Sequence, residues 1–90
     1  MAYTLPQLVK SPKSSVDPNS IRVIYDGGEN SYSVVLLTWE GAEGCVGVRW
    51  NGAENGIGNP QSSGSPTWFI LPRPIAELVK KNPYFLEPES

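Results

Sequence analysis

Two pairs of carboxylates have the residue type and spacing that acid–base chemistry requires. Asp26 and Glu29 fall in one predicted turn, and Glu40 and Glu43 fall in another. Paired carboxylates act as catalytic acid and base when their surroundings set the two protonation states apart. Both pairs lie beside glycines in turns that face water, so we interpret them as solvated turn residues rather than catalytic groups.

The single cysteine, Cys45, is the other candidate for catalysis, as a nucleophile. A reactive thiol needs a nearby cation or a helix N-terminus, and Arg49 follows four residues along the same predicted strand. A lone cysteine at the start of a strand is more often a small buried apolar residue, which is the interpretation that we prefer.

The lack of histidine removes most of the remaining enzyme chemistry. The 90-residue chain contains no histidine and one cysteine. This composition excludes Ser–His and Cys–His nucleophile pairs, the familiar zinc-binding patterns and an internal disulfide. We therefore predict that the protein is not an enzyme and that it holds no metal and no cofactor.

A long polar loop, residues 53–66, contains the last motif of interest. Gly56 and Gly58 begin a G-x-G pattern, but the third glycine of a nucleotide-binding G-x-G-x-x-G would fall on Gln61. No helix and no P-loop lysine follow directly, so the motif fails. Loops of this length are usually functional or mobile. The side-chain amides of Asn59 and Gln61 donate and accept hydrogen bonds, and we predict that they help to bind a partner.

The elements that position these groups belong to one small domain. Residues 1–20 form an N-terminal arm and linker, and residues 21–90 form a single β-rich domain. Runs of β-branched and aromatic residues predict strands at 21–26, 32–40, 45–50 and 67–71. Pro74 suits a first helical position, and the segment from there to Lys81 predicts a short helix. The predicted fold class is α+β, a mostly antiparallel four-stranded sheet with a short C-terminal helix on one face.

Side chains alternate between the two faces of a strand, which divides the apolar residues of the sheet into two sets. We expect Tyr25 to pair with Tyr32, and Trp39 to pair with Cys45. The set expected on the face that the helix covers, the helix face, is Ile21, Val23, Tyr25, Val34, Leu36, Val46, Val48 and Trp50. The helix residues expected to pack on this face, at i, i+3, i+4 spacing, are Ile75, Leu78 and Val79. The set expected on the opposite face is Arg22, Ile24, Val35, Leu37, Trp39, Cys45, Gly47 and Arg49.

The opposite face is apolar in its middle and needs a cover. Burying one large apolar side chain stabilises a protein by about 1.5–3 kcal/mol, so a small domain loses much by leaving several of them in water. Three covers remain open: the N-terminal arm with Leu5, Leu8 and Val9, a second copy of the chain in a homodimer, or a partner macromolecule. Gly47 leaves room for an aromatic ring or a foreign backbone to approach the sheet.

Aromatic residues next to arginine are typical of protein-interface hot spots, and Trp39 is expected near Arg49 on the opposite face. The two remaining tryptophans, Trp50 and Trp68, are expected in the core. We predict a small protein-interaction module, adaptor-like or inhibitor-like, that binds a protein partner. The predicted partner-binding residues are Arg22, Leu37, Trp39, Arg49, Asn59 and Gln61.

The alternative function is a nucleic-acid-binding accessory protein that stacks bases on the same aromatic and arginine face. The net charge of −2 and the pI near 4.9 disfavour it, because nonspecific nucleic-acid binding depends on Lys and Arg that displace counterions from phosphates. The chain lacks an apolar run of membrane-spanning length and a signal-peptide pattern at its N-terminus. We therefore expect a cytoplasmic protein that does not enter a membrane.

Overall fold

A four-stranded antiparallel sheet organises the part of the chain that this computed structural model describes, residues 4–53 and 56–85. In their order across the sheet, its strands are β1 (Arg22–Asp26), β2 (Tyr32–Trp39), β3 (Ala42–Trp50) and β6 (Phe69–Ile70). Two short strands form a separate ladder within the long loop, β4 (Gln61–Ser62) and β5 (Ser65–Pro66). The helical elements are a 3-10 turn (Pro6–Leu8) and the helix α1 (Arg73–Lys81). The prediction of an α+β fold with a four-stranded antiparallel sheet and a C-terminal helix is confirmed.

The hairpin between β2 and β3 turns earlier than predicted. Glu40 and Gly41 have φ angles of 51° and 84°, which a two-residue type I′ turn requires at both of its central positions. Trp39 pairs with Ala42 instead of Cys45, and a β-bulge near Gly44 then shifts the register.

Beyond this bulge the predicted register is wrong by two residues, and Leu36 pairs with Val46 rather than with Val48. A shift of two positions leaves every side chain on its predicted face, because the side-chain period of a strand is two residues. The assignment of β2 and β3 residues to the two faces therefore holds although the pairs differ.

A second β-bulge lies in β1 and does change faces. Val23 pairs with Val35, yet Tyr25 pairs with Val34, so Ile24 is an extra residue in β1. The predicted pairing of Tyr25 with Tyr32 is wrong. Ile24 and Tyr25 both pack against the core under the helix, as expected when a bulge interrupts the alternation.

The bulge also relocates Arg22. Its partner in the ladder is Leu36, which packs in the core on the helix face. Arg22 is exposed and lies across the sheet from Trp39, which packs in the core on the opposite face. The prediction that these two residues share a face is wrong, because alternation was counted through the bulge.

Helix α1 covers the middle of the helix face. The buried residues of this core are Val34, Val46 and Ala76. Of the three helix residues predicted to pack on the sheet, Val79 does so, whereas Ile75 and Leu78 are exposed. Ala76 and Val79, three residues apart, form the buried stripe instead.

Within the described residues, no helix is long and apolar enough to cross a membrane.

The N-terminal arm covers the opposite face, the first of the three covers considered above. The buried residues of this second core are Val9, Val16, Val35, Leu37 and Trp68. The indole Nε1–H of Trp68 donates a 2.9 Å hydrogen bond to the carbonyl oxygen of Val9. Val16 bridges to Trp39, which extends the arm along β2. The arm therefore forms one wall of the core.

At Gly47 the second core lies close against the sheet. A Cβ atom at this position would lie 3.2 Å from Cβ of Trp68 and 3.3 Å from Cδ2 of Leu37. Of the two groups for which Gly47 was expected to leave room, an aromatic ring or a foreign backbone, the structure has the ring: Cδ2 of Trp68 lies 3.3 Å from the same Cβ position.

We expect Gly47→Val to lower the free energy of unfolding by about 1–3 kcal/mol, because the added methyl groups would overpack the Trp68 contact. Urea unfolding followed by tryptophan fluorescence measures the loss. Gly56→Ala is the control, since a Cβ there has its nearest neighbour at 3.6 Å. Equal stability of the two variants would contradict the tight packing at Gly47.

Candidate functional site

An apolar groove of about 570 Å³ lies on the helix face, where the sheet extends beyond the helix. We call it the aromatic groove. Its lining residues are Tyr32, Val48, Arg49, Trp50, Asn59, Pro60 and Phe69. Of these, Trp50 and Phe69 are 59% and 58% exposed. Large aromatic side chains are seldom left in water next to one another unless they contact something else.

The groove exists because the helix is shorter than the strands beneath it. The nine residues of α1 span about 13 Å at 1.5 Å per residue, whereas the nine residues of β3 span roughly 30 Å. The helix packs over Val46, and Val48 and Trp50 follow on the same face. The prediction that Trp50 lies in the core is wrong for this reason, while the same prediction for Trp68 is confirmed.

Aromatic rings continue from the groove across the sheet, in what we call the aromatic row. Trp50 and Tyr32 meet edge to face, with ring centroids 6.0 Å apart and planes at 78°. Tyr25 lies 4.9 Å from Tyr32, and Tyr84 lies 5.4 Å from Tyr25. The row therefore crosses β3, β2 and β1 and ends on the segment that follows the helix. Such contacts stabilise each ring pair by about 0.5–1.5 kcal/mol.

Arg49 holds the loop that forms the far wall of the groove. Its side chain is 2% exposed. The guanidinium donates hydrogen bonds to four main-chain carbonyl oxygens, those of Trp50, Ile57, Pro60 and Thr67. The bond from Nη1 to Thr67 is 2.7 Å long. Desolvation by burial lowers the pKa of Arg49. The dipoles of the four carbonyl groups stabilise the positive charge of the buried guanidinium.

The loop itself folds back on the end of β3. The amide of Trp50 donates a 2.7 Å hydrogen bond to the carbonyl of Asn59, and the amide of Asn59 returns a 3.2 Å bond to Trp50. This pair fixes Asn59 and Pro60 beside the Trp50 ring. The side chain of Asn59 is left at the rim, because the residue is exposed.

Asn51, the residue after Trp50, anchors the end of β3. It is fully buried. Its Oδ1 accepts a 2.7 Å bond from the hydroxyl of Ser33, and its Nδ2 donates a 2.8 Å bond to the carbonyl of Gly28. These bonds connect the end of β3 to β2 and to the β1–β2 turn, so the strand residues that carry the aromatic rings are held firmly.

The six predicted partner-binding residues do not form one surface. Leu37 is buried under the arm, and Trp39 is half-buried beside it. Neither residue lies at the aromatic groove, and Leu37 presents no surface to a partner in this fold. The expectation of an open opposite face is therefore corrected, since Val9 and Val16 of the arm occupy it.

The aromatic groove contains two of the six, Arg49 and Asn59. Arg49 contributes from beneath the surface, with its guanidinium bonded to carbonyls. Gln61 is exposed in β4, and its Nε2 donates a 2.9 Å bond to the carbonyl of Gly58. Arg22 is exposed on β1. Partner binding by the exposed residues stays a prediction.

Sequence reasoning missed Tyr32, Trp50 and Phe69 as site residues. A signal was present in the predicted lengths. The predicted helix of eight residues spans about 12 Å, whereas the predicted strands of nine and six residues span about 30 Å and 20 Å. The apolar residues at the far ends of the strands then remain in water. Trp50 is such a terminal residue, and the turn signal Asn51–Gly52 follows it directly.

A second, smaller cleft of about 200 Å³ lies between the start of β3 and the helix. Cys45 borders it together with Arg73 and Lys80. The thiol donates a 3.3 Å hydrogen bond to the carbonyl of Ala42, and Lys80 pairs with Glu77 at 3.5 Å. Cys45 is half-buried and packs, as a small apolar residue does, against the second core, which the arm covers.

Comparisons with protein-family models, with curated proteins and with solved structures found no match to this chain.

Proposed function

We propose that this protein is a non-enzymatic interaction module that binds a protein partner through the aromatic groove. The observation that carries the proposal is the joint exposure of Trp50 and Phe69 around a preformed apolar concavity. Tryptophan and tyrosine are the residues most enriched in interface hot spots. The hydrogen bonds of Arg49 and Asn51 hold the groove in shape, so binding costs little ordering of the protein.

The charge of the lining favours a protein over a nucleic acid. Arg49 is the cation in the lining, and its guanidinium is bonded to carbonyl oxygens beneath the surface. Phosphate backbones need accessible Lys or Arg, and the net charge of the chain is −2. In this proposal the protein acts in the cytoplasm, where its single thiol stays reduced.

We expect Trp50→Ala to abolish capture of the native partner while the fold persists. Removal of a central aromatic anchor costs at least about 2 kcal/mol of binding free energy, which is roughly a thirtyfold loss of affinity. The measurement is affinity capture from the native host with mass spectrometry, followed by titration of the purified partner. Circular dichroism checks that the variant folds.

Leu8→Ala is the matched control, because Leu8 is an exposed apolar residue on the arm, away from the groove. It should capture the partner as the native chain does. If Trp50→Ala and Phe69→Ala both retain the partner at native affinity, the groove is not the binding surface and the proposal fails.

A further inference from the structure

We infer that the ligand of the aromatic groove is a proline-rich peptide segment in the polyproline II conformation. The inference rests on the proposed function and names the chemistry of its partner. Four features of the described residues support it: the size of the groove, the small number of polar groups in its lining, the shortness of the neighbouring edge strand and the spacing of the aromatic row.

The size of the groove fits a peptide and not a second copy of the chain. A large aromatic side chain buries about 150–250 Å² when covered. The exposed surface area of the lining side chains is therefore roughly 300–400 Å². Most of it belongs to Trp50 and Phe69, which are somewhat over half exposed, and the rest to half-buried Tyr32 and Val48. A stable dimer buries about 800 Å² per partner. A segment of a few residues covers what the groove provides.

The polar groups at the groove are few, which favours a ligand that needs few of them. Among the described lining residues, Asn59 supplies an exposed side-chain amide, Trp50 an indole N–H and half-buried Tyr32 a phenolic hydroxyl. A carbohydrate presents many hydroxyl groups, and a nucleic acid presents phosphates that need cations. A polyproline II segment has no internal hydrogen bonds, and its prolines have no N–H. Its carbonyls require only a donor or two.

The sheet edge beside the groove disfavours a ligand that adds a β-strand. That edge is β6, which has two residues, Phe69–Ile70. Pro72 follows shortly after it, and proline blunts strand edges because it lacks an N–H. Strand addition derives its affinity from a ladder of main-chain bonds, for which β6 is too short. Docking of prolines on aromatic rings needs no ladder.

The spacing of the aromatic row matches the repeat of a polyproline II helix. Such a helix has three residues per turn and advances about 9 Å per turn. The centroid steps from Trp50 to Tyr32 and from Tyr32 to Tyr25 are 6.0 and 4.9 Å. Prolines three positions apart can therefore contact the Trp50 and Tyr25 rings, with Tyr32 between them. The perpendicular Tyr32 and Trp50 rings form the corner into which one pyrrolidine ring packs.

The test is a selection from a phage-displayed library of random dodecapeptides on the native protein, with titrations of deca-L-proline followed by NMR. We expect selected peptides enriched in prolines three positions apart. Deca-L-proline should shift the backbone amide signals of Tyr32, Val48 and Asn59. Trp50→Ala should weaken binding at least tenfold, with Phe69→Ala as a second variant, while Leu8→Ala changes it less than twofold.

Selected peptides that lack proline but still depend on Trp50 would overturn the proline inference and leave the interaction module standing. Light scattering that shows a dimer lost in Trp50→Ala would overturn it in favour of a second copy. Binding of deca-L-proline that Trp50→Ala and Phe69→Ala leave unchanged would also overturn it. The proposed function itself fails only by retention of the native partner in both groove variants.

Discussion

Arg49→Met is expected to remove about 3–5 kcal/mol from the free energy of unfolding. The side chain is buried and donates to four carbonyl oxygens. Methionine fills a similar volume but donates no hydrogen bond, so the carbonyls of Ile57 and Thr67 lose this donor. The carbonyls of Trp50 and Pro60 still accept main-chain amides. A buried acceptor left without a partner costs about 1–3 kcal/mol, so two such acceptors account for the expected loss. A domain of this size has roughly 5–13 kcal/mol of stability in total.

Urea unfolding followed by tryptophan fluorescence measures this loss. Arg22→Met is the control, because Arg22 is an exposed arginine in the same sheet and its replacement should change stability by less than about 0.5 kcal/mol. Native-state amide exchange gives a local readout. The amides of Asn59 and Thr67, bonded to Trp50 and Pro60, should exchange faster in Arg49→Met. A loss of stability no larger than that of the control would contradict the role of Arg49.

The face on which Arg49 lies could be predicted from the sequence, but its hydrogen-bond partners could not. Alternation places its side chain on the opposite face together with Leu37. The structure agrees, since Arg49 pairs with Ser33, which is an even number of positions (four) from Leu37 along β2. The sequence indicated an arginine beside Trp39 that was free for a partner. The carbonyls that bind it come from Ile57, Pro60 and Thr67. No local pattern indicates that a loop closes over a cation through its backbone.

The register errors have a common physical origin. The strands were predictable from β-branched and aromatic runs such as residues 32–39, since these side chains suit a pleated, half-buried surface. Pairing depends on turn type and on bulges, which insert one residue at a time. The earlier turn moves the β2–β3 pairing by three residues, and the bulge at Gly44 moves it back by one, so the net error is two residues and the faces are preserved. The bulge at Ile24 shifts them by one and moves Arg22 across the sheet.

The location of the site was predictable only in part. The sequence indicated that the helix would cover one sheet face and that apolar residues on the other face would contact a further cover, such as the arm or a partner. Which face remained open depended on the docking of the arm, and that docking is a tertiary contact between Val9 and residues more than 25 positions away in the chain. Once the arm occupies the opposite face, the open apolar surface of the sheet lies at the end of the helix face, at Trp50.

The docking of the arm gives the second large effect, which is expected for Val9→Asp. Val9 has no exposed surface and packs with Val35, Leu37 and Trp68. A carboxylate there would lose its hydration without gaining a partner, which costs several kcal/mol. We therefore expect Val9→Asp to be largely unfolded at 25 °C, with loss of the near-ultraviolet circular dichroism signal.

Leu8→Asp is the matched control at the adjacent position, since Leu8 is 63% exposed and the same carboxylate there stays in water. The urea concentration at which half of Leu8→Asp is unfolded should equal that of the native protein. Val9→Ala adds a graded measurement, because it removes buried methyl groups without adding charge, and should cost about 2 kcal/mol. If Val9→Asp and Leu8→Asp unfold alike, the arm does not cover the sheet in solution. The opposite face with Leu37 and Trp39 would then be open to a partner, and the aromatic groove would no longer be the sole candidate surface among the described residues.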